Sequence, residues 1–125
     1  MTGIAGRTAV VTGGASGIGL AIARRLVAEG ARVAIADIER ESVTAAAEEI
    51  GATPFVVDVS DAGSVARLAA DVRDALGPVG VLASNAGVAS IARLEDMTDA
   101  DWTWLLGVNV LGLHHAVTAF LPQLR

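Results

Sequence analysis

The segment Thr12–Gly19, with the sequence TGGASGIG, decides the predicted fold. It follows a short apolar run at Thr8–Val11, which is typical of a buried strand. It opens the segment Ile18–Glu29, whose apolar residues recur at helical spacing and which Gly30 ends. A glycine-rich turn between a strand and a helix is where free N–H groups bind phosphate. The sequence therefore predicts a phosphate-binding turn.

Each small residue of this turn has a predicted role. Gly13 allows the tight turn, Gly17 allows a pyrophosphate to approach closely, and Gly19 lets the helix pack near the sheet. Ser16 can donate a hydrogen bond to a phosphate oxygen. No Gly-Lys-Ser/Thr follows, which excludes a P-loop. A glycine-rich turn that binds no ligand is the alternative.

Predicted strands and helices alternate along the whole chain. Further strands are predicted at Arg32–Ala36, Pro54–Val57 and Val81–Ala83, and further helices at Glu39–Ile50, Asp61–Leu76 and Asp99–Leu121. The predicted N-caps are Ser60 or Asp61 and Thr98, the predicted stops are Gly51 and Gly77-Pro78, and Ser84–Gly87 and Val88–Met97 are the predicted turn and loop. The alternation predicts an α/β fold with a parallel sheet, in one domain over residues 1–125.

Asp37 stands at the end of the second predicted strand, 18 residues after Gly19. A carboxylate there can accept hydrogen bonds from the adenine-ribose hydroxyls of a dinucleotide, and it would repel a 2′-phosphate. Ala15 offers no positive charge to compensate, so NAD is favoured over NADP. Two alternatives stay open: Arg40 could reach a 2′-phosphate, or Asp37 could simply cap the following helix.

The glycine spacing resembles the Thr-Gly-x-x-x-Gly-Ile-Gly signature of the short-chain dehydrogenases/reductases. Asp58-Val59 resembles that family's adenine-contacting Asp, and Ser84–Gly87 resembles its Asn-Asn-Ala-Gly motif with Ser in place of the first Asn. Val108–Gly112 resembles the helix segment that carries the Asn of the catalytic tetrad, here Asn109. The resemblance spans nearly the whole chain and implies a Rossmann-type, doubly wound parallel sheet.

The resemblance implies an oxidoreductase that transfers a hydride between NAD(H) and an alcohol or carbonyl substrate. The implied cofactor-binding residues are Gly13, Ser16, Gly17, Ile18, Gly19, Asp37, Ile38, Asp58, Val59, Asn85, Ala86, Gly87 and Val108. Asn109 is the implied catalytic residue, which in the family fixes a kink and positions a water in the proton relay. Structural roles are the alternatives: Asp58 as a strand-end cap, Asn85 and Gly87 as turn formers, and Asn109 as a buried, partnered amide.

The chain contains no Tyr, and all nine of its basic residues are Arg, so it has no Lys. In the family a Tyr is the general acid/base, a Lys four residues later lowers its pKa, and a Ser polarises the substrate carbonyl. Ser84 and Ser90 lie too early to match that Ser. Only Asn109 of the tetrad is therefore expected, and the 125 residues alone are expected to be inactive.

The family pattern continues beyond the point where this sequence ends, at Arg125. We expect a sheet truncated after the fourth strand and the long helix that follows it, with the fourth strand as an exposed edge. Apolar residues of that helix are expected to meet a neighbouring subunit and the family's next helix, which this sequence lacks: Leu105, Leu106, Leu111, Leu113 and Phe120. This favours a homo-oligomer formed through Asp99–Leu121. The open hypotheses are a fragment of an oxidoreductase, a non-catalytic nucleotide-binding or interaction module, and one piece of a split enzyme.

Composition narrows the class of protein. The 125 residues carry a net charge of −5 with scattered acidic residues, which argues against nucleic acid as a partner. Without Cys there are no disulfides or thiolate metal sites, and no metal is predicted. The mean hydropathy is +0.56, but the longest apolar stretch near the C-terminus, Leu105–Leu113, is shorter than the roughly 20 residues that span a membrane. No signal peptide is evident, so a cytoplasmic location is expected.

Four ring-bearing side chains of the long helix have structural predictions. His114 and His115 are predicted to be surface or interface residues and not ligands. Trp102 and Trp104 are predicted to pack the helix against the sheet or against a subunit.

Overall fold

The computed structural model describes residues 3–87 and 93–124, in which strands and helices alternate. The strands are β1 (Thr8–Thr12), β2 (Arg32–Asp37), β3 (Thr53–Val56) and β4 (Val79–Ser84). The helices are α1 (Gly17–Ala28), α2 (Arg40–Ile50), α3 (Ala62–Leu76), α4 (Asp99–Leu106) and α5 (Gly112–Leu124), with a 3₁₀ turn at Leu94–Asp96 and a π-helical turn at Gly107–Leu111.

All strand pairs are parallel, and the spatial order is β3-β2-β1-β4. The central strand β1 pairs with β2 from Thr8 opposite Arg32 to Thr12 opposite Ala36. On its other side Thr12 pairs with Ser84, so the carboxyl ends of these three strands lie level. The α/β class and the parallel sheet predicted from the sequence are confirmed.

The core lies in two layers, one on each face of the sheet. Ala9 and Val11 of β1 face α1 and α2, and Val10 between them faces α3 and α5. All five residues of β1 are buried. Successive side chains of a strand point to opposite faces, so a strand covered on both sides must be apolar throughout. This explains why the middle of β1, Ala9–Val11, is a continuous apolar run and does not alternate with polar residues.

The long C-terminal helix differs from the single α-helix predicted at Asp99–Leu121. Its start is as predicted, since Thr98 Oγ1 accepts a hydrogen bond from the Asp101 N–H and the Asp101 carboxylate accepts one from the Thr98 N–H. Its middle widens into the π turn, at the place where the family resemblance implies a kink.

The end of this helix also lies beyond the prediction. The helix continues through Pro122 to Leu124. The Gln123 side chain accepts a hydrogen bond from the Val79 N–H at 3.0 Å and donates one to the Ala69 carbonyl at 3.1 Å, which ties the last turn to β4 and α3. This long-range tie holds a turn that Pro122 alone would be expected to end.

Other boundaries shift for local reasons. Asp61 and not Ser60 caps α3, because its carboxylate accepts from the Gly63 N–H at 2.9 Å. Strand β4 extends further at both ends than the predicted Val81–Ala83, because its backbone pairs along the whole of β1. The predicted loop at Val88–Met97 contains the 3₁₀ turn, and residues 88–92, with Ser90, lie outside the described part of the chain.

The helix Asp99–Leu124 corrects one expectation on length and composition. It has 26 residues, and its most apolar window reaches a mean hydropathy of 1.4, enough for a bilayer span by those two criteria. Asn109 and the two histidines interrupt the apolar runs, but the mean hydropathy of a window that averages over the helix stays high. Only 17% of this window is buried inside the described part of the chain, although Ala116 and Phe120 are fully buried against the sheet.

The apolar residues of the same helix separate into two groups. Phe120 is fully buried in this chain's own core, so the expectation that it meets a subunit is wrong. Leu105 is half-buried. The exposed apolar residues of α4, the π turn and α5 are Trp102, Trp104, Leu106, Val110, Leu111, Leu113, Val117 and Leu121.

We expect Phe120→Ala to lower the free energy of unfolding by about 3–5 kcal/mol, because it leaves a cavity between α5, α3 and the sheet. The control Leu113→Ala lies on the same helix at a half-exposed position and should cost under about 1 kcal/mol. Urea unfolding followed by far-UV circular dichroism measures both. Equal losses would show that α5 does not pack as described.

Candidate functional site

A cleft of about 320 Å³ opens at the carboxyl ends of the strands. It runs from the end of β3 across β2 and β1 to the end of β4. Ligands of open α/β sheets bind in this position, where the chain crosses from one side of the first strand to the other. The lining residues are Gly13, Ser16, Ala36, Asp37, Ile38, Val57, Asp58, Val59, Asn85, Ala86, Gly87, Trp104 and Val108.

Most of the predicted cofactor-binding residues line this cleft: Gly13, Ser16, Asp37, Ile38, Asp58, Val59, Asn85, Ala86, Gly87 and Val108. Gly17, Ile18 and Gly19 do not line it and form the first turn of α1 beside it. Asn109 is also outside the lining.

The first turn of α1 leaves room for an anion. Gly17 has a left-handed φ of +58°, and a Cβ built there meets no atom within 4 Å. Ser16 is the N-cap, but its side chain makes no capping hydrogen bond, and no acidic residue lies in the first turn. The N–H groups at this helix end are therefore not satisfied by a Ser16 cap.

Thr12 is the functional residue that sequence reasoning missed. Its side chain is fully buried, and its Oγ1 accepts hydrogen bonds from the N–H groups of Asn85 (3.0 Å) and Ala86 (3.3 Å). This hydroxyl joins the turn after β1 to the turn after β4. The available signal was a polar side chain at the carboxyl end of a buried strand, since buried polar groups are almost always hydrogen-bonded.

The glycines of the turn act partly in other ways than predicted. Gly13 has a φ of +65°, as a tight turn requires, and a Cβ there would lie 2.9 Å from the Ala86 Cα. A Cβ on Gly19 would collide with the Gly13 carbonyl and with the Asn85 Nδ2, so Gly19 packs on the turn itself and not on the sheet. The packing role falls to Gly14, where a Cβ would lie 2.7 Å from the Cβ of Ile35 in β2.

Asn85 closes the same junction from the β4 side. Its Nδ2 donates to the Gly13 carbonyl at 3.3 Å. The residue therefore does more than form a turn, because its side chain reaches across to the glycine-rich segment.

Asp37 is half-buried at the end of β2 and holds the glycine-rich turn. Its Oδ2 accepts from the Ala15 N–H at 3.1 Å and its Oδ1 from the Ile38 N–H at 2.8 Å. The alternative that Asp37 caps the following helix is wrong, because the N-cap of α2 is Glu39. Arg40 is exposed and lines a separate cleft with Thr44, Pro54 and Asp71.

Asp58 stabilises the turn that follows β3. Its Oδ1 accepts from the Ser60 N–H (3.0 Å) and the Ser60 hydroxyl (2.6 Å), and its own N–H donates to the Ser64 hydroxyl at 3.0 Å. The predicted strand-end role is therefore present in a residue that also faces the cleft.

Asn109 lies in the π turn and is exposed, so the expectation of a buried amide is wrong. It stands close to the turn after β4, since a Cβ on Gly87 would lie 3.3 Å from the Asn109 Oδ1. Trp102 and Trp104 do not pack closely against the sheet, because 41% and 50% of these residues are exposed, and their predicted packing against a subunit stays a prediction. Trp104 instead forms part of the cleft wall.

The two histidines differ from each other. His114 is exposed, as predicted. His115 is half-buried, and its Nδ1 lies 2.7 Å from the carbonyl oxygen of Val59. The surface alternative is therefore wrong for His115, and its predicted place at an interface stays a prediction.

Residues 7–125 match the family model described as short chain dehydrogenase. This chain belongs to that family. It is 42% identical over 120 residues to a sorbitol dehydrogenase from Cereibacter sphaeroides, covering 94% of this chain and 45% of that protein. The short-chain dehydrogenases are oxidoreductases with a nicotinamide-dinucleotide-binding Rossmann fold, so the resemblance inferred from the motifs is confirmed.

Solved structures agree with this fold. One from Burkholderia phymatum, in complex with NAD, superposes with a TM-score of 0.93 at 34% identity, over 98% of this chain and 45% of its own. A blue fluorescent protein from a metagenomic library, in complex with NADPH, superposes at 0.88 with 32% identity, over 97% of this chain and 52% of its own. The chain thus spans about half the length of the proteins it matches, and both cofactors occur among its neighbours.

We expect Thr12→Val to lower the free energy of unfolding by about 1–3 kcal/mol, because it leaves the Asn85 and Ala86 N–H groups without their acceptor at nearly constant volume. Thr12→Ser is the matched control: it keeps the hydroxyl and removes one methyl, at about 1 kcal/mol. Urea unfolding measures both. A Val variant no less stable than the Ser variant would contradict the assigned role of the hydroxyl.

Proposed function

We propose that residues 1–125 form the single cofactor-binding domain of an NAD-dependent short-chain dehydrogenase. The reaction is hydride transfer between NAD(H) and an alcohol or carbonyl substrate, and the bound nicotinamide supplies or accepts that hydride. The observation that carries the preference for NAD is the Asp37 carboxylate, which faces the cleft at the end of β2 with the non-basic Ala15 beside it.

The residues present suit a dinucleotide laid across the strand ends. The open space at Gly17 and the first turn of α1 fit the pyrophosphate, with Ser16 at its side. Each Asp37 oxygen accepts one backbone N–H and keeps a lone pair with which to accept a ribose hydroxyl. A 2′-phosphate would meet this half-buried negative charge, which disfavours NADP.

We propose an orientation for the dinucleotide from the proposed contact of Asp37 with the adenine ribose and from the strand order. The adenine lies toward the end of β3, beside Ile38, Asp58 and Val59, because β3 is next to β2 on the side away from β1. The nicotinamide lies toward the end of β4, beside Asn85–Gly87 and Val108. Asn109 stands at that end, where we propose that it holds a water for proton transfer.

These 125 residues contain no phenol and no lysine ammonium, which the family uses to move the proton. We therefore propose that they bind cofactor but do not turn over alone, and that Ser, Tyr and Lys come from elsewhere. One piece of a split enzyme and a non-catalytic nucleotide-binding module stay the alternative candidates.

The proposal extends to partners and location. The exposed apolar residues of the long helix favour a homo-oligomer formed through Asp99–Leu121. Neither a nucleic acid nor a membrane is proposed as a partner, and a cytoplasmic location is proposed.

We expect the 125-residue chain to produce no NADH from NAD and a panel of secondary alcohols and polyols, because it lacks the general acid/base. Absorbance at 340 nm measures turnover, and a full-length short-chain dehydrogenase serves as the positive control. Clear NADH formation would show that the missing Tyr and Lys are not needed.

We expect weak NAD binding that Asp37→Ala weakens by about tenfold or more, because hydrogen bonds to a charged acceptor are lost. Glu39→Ala is the matched control, since it removes the same charge two residues away at an exposed position outside the cleft. Isothermal titration calorimetry measures both. Equal affinities in the wild type and Asp37→Ala would remove Asp37 from the site.

A further inference from the structure

The carbonyl of Val59 is held by the long C-terminal helix. The His115 Nδ1 lies 2.7 Å from that oxygen, although 56 residues separate the two in sequence. A carbonyl can only accept a hydrogen bond, so Nδ1 must carry the proton and donate it. His115 is half-buried at this contact.

The backbone of the helix approaches the same segment closely. A Cβ on Gly112 would lie 2.8 Å from the Val59 Cγ2, and a Cβ on Gly107 would lie 3.5 Å from the Ser60 Cβ. Gly112 and His115 are three residues apart and therefore share one helix face. This helix face contacts Val59 in the turn after β3, and His115 donates the hydrogen bond between them.

Two further restraints act on the same turn. The Ser64 hydroxyl accepts from the Asp58 N–H, and the Asp58 carboxylate accepts from Ser60. Both restraints come from residues close in sequence. His115 adds a hydrogen bond from a different element, and so relates this turn to the helix that carries Trp104 and Val108 on the other wall of the cleft.

We propose that His115 is a positioning residue for the adenine end of the cofactor site. It acts through the Val59 carbonyl, which it holds so that Asp58 and Val59 keep their place in the cleft wall. The inference rests on the proposed binding of NAD, in which the adenine lies beside these two residues.

The test compares three variants of the 125-residue chain with the wild type. His115→Leu removes the hydrogen-bond donor and introduces an apolar side chain of similar bulk. His115→Asn restores an N–H donor at about the position of Nδ1. His114→Leu makes the same chemical change at the adjacent, exposed position. Calorimetry with AMP and with NAD gives the affinities, and thermal unfolding confirms that each variant is folded at the temperature used.

We expect His115→Leu to weaken AMP and NAD by the same factor, roughly three- to tenfold, which is the size of one hydrogen bond. His115→Asn should restore affinity to within about twofold, and His114→Leu should leave it unchanged. In ligand-free protein the Ser60 amide resonance should shift in His115→Leu but return in His115→Asn, because Ser60 N–H belongs to the peptide group whose carbonyl His115 binds.

The results distinguish failure of the proposed NAD binding from failure of the proposed role of His115. A wild type that binds neither AMP nor NAD overturns the proposed function and this inference with it. A wild type that binds both, with His115→Leu binding AMP equally well, overturns the inference alone. Failure of His115→Asn to restore affinity, at an unfolding temperature equal to that of the wild type, also overturns it, because the donor would then not be what matters.

Discussion

The buried hydroxyl of Thr12 is the interaction on which the rest of the cleft depends. It accepts the N–H groups of Asn85 and Ala86, and Asn85 in turn donates to the Gly13 carbonyl. These bonds tie the turn after β1 to the turn after β4, at the place where the chain changes side of the sheet. Because both turns are fixed to each other, the wall of the cleft is formed before any ligand binds.

The same junction explains the glycines. Three of these glycines are in close contact: Gly13 with Ala86, Gly14 with Ile35, and Gly19 with the Gly13 carbonyl. A Cβ at any of the three would displace backbone or a β2 side chain. Gly17 alone faces open space. The glycine-rich segment therefore serves two purposes: three glycines let the turn pack, and one leaves room at the start of α1.

The far wall of the cleft depends on the long helix. Its π turn brings Asn109 near Gly87, and Gly112 and His115 approach Val59. One helix thus contacts the segments after β3 and after β4, which lie at opposite ends of the sheet order. In the proposed cofactor site, this helix would relate the adenine end to the nicotinamide end.

Local features of the sequence predict the fold class, the alternation of strands and helices along the chain, and most of the residues that line the cleft. Apolar periodicity is one such feature. The position of Asp37, Asp58 and Asn85 after successive strands is another. The roles of Thr12, Gly14 and His115 depend on contacts that form only in the folded structure. The same holds for the burial of Phe120 and the exposure of Asn109. Those properties are set by contacts with residues distant in sequence, such as Thr12 and Asn85, which are 73 positions apart. Local pattern carries no information about such contacts until the sheet brings the segments together.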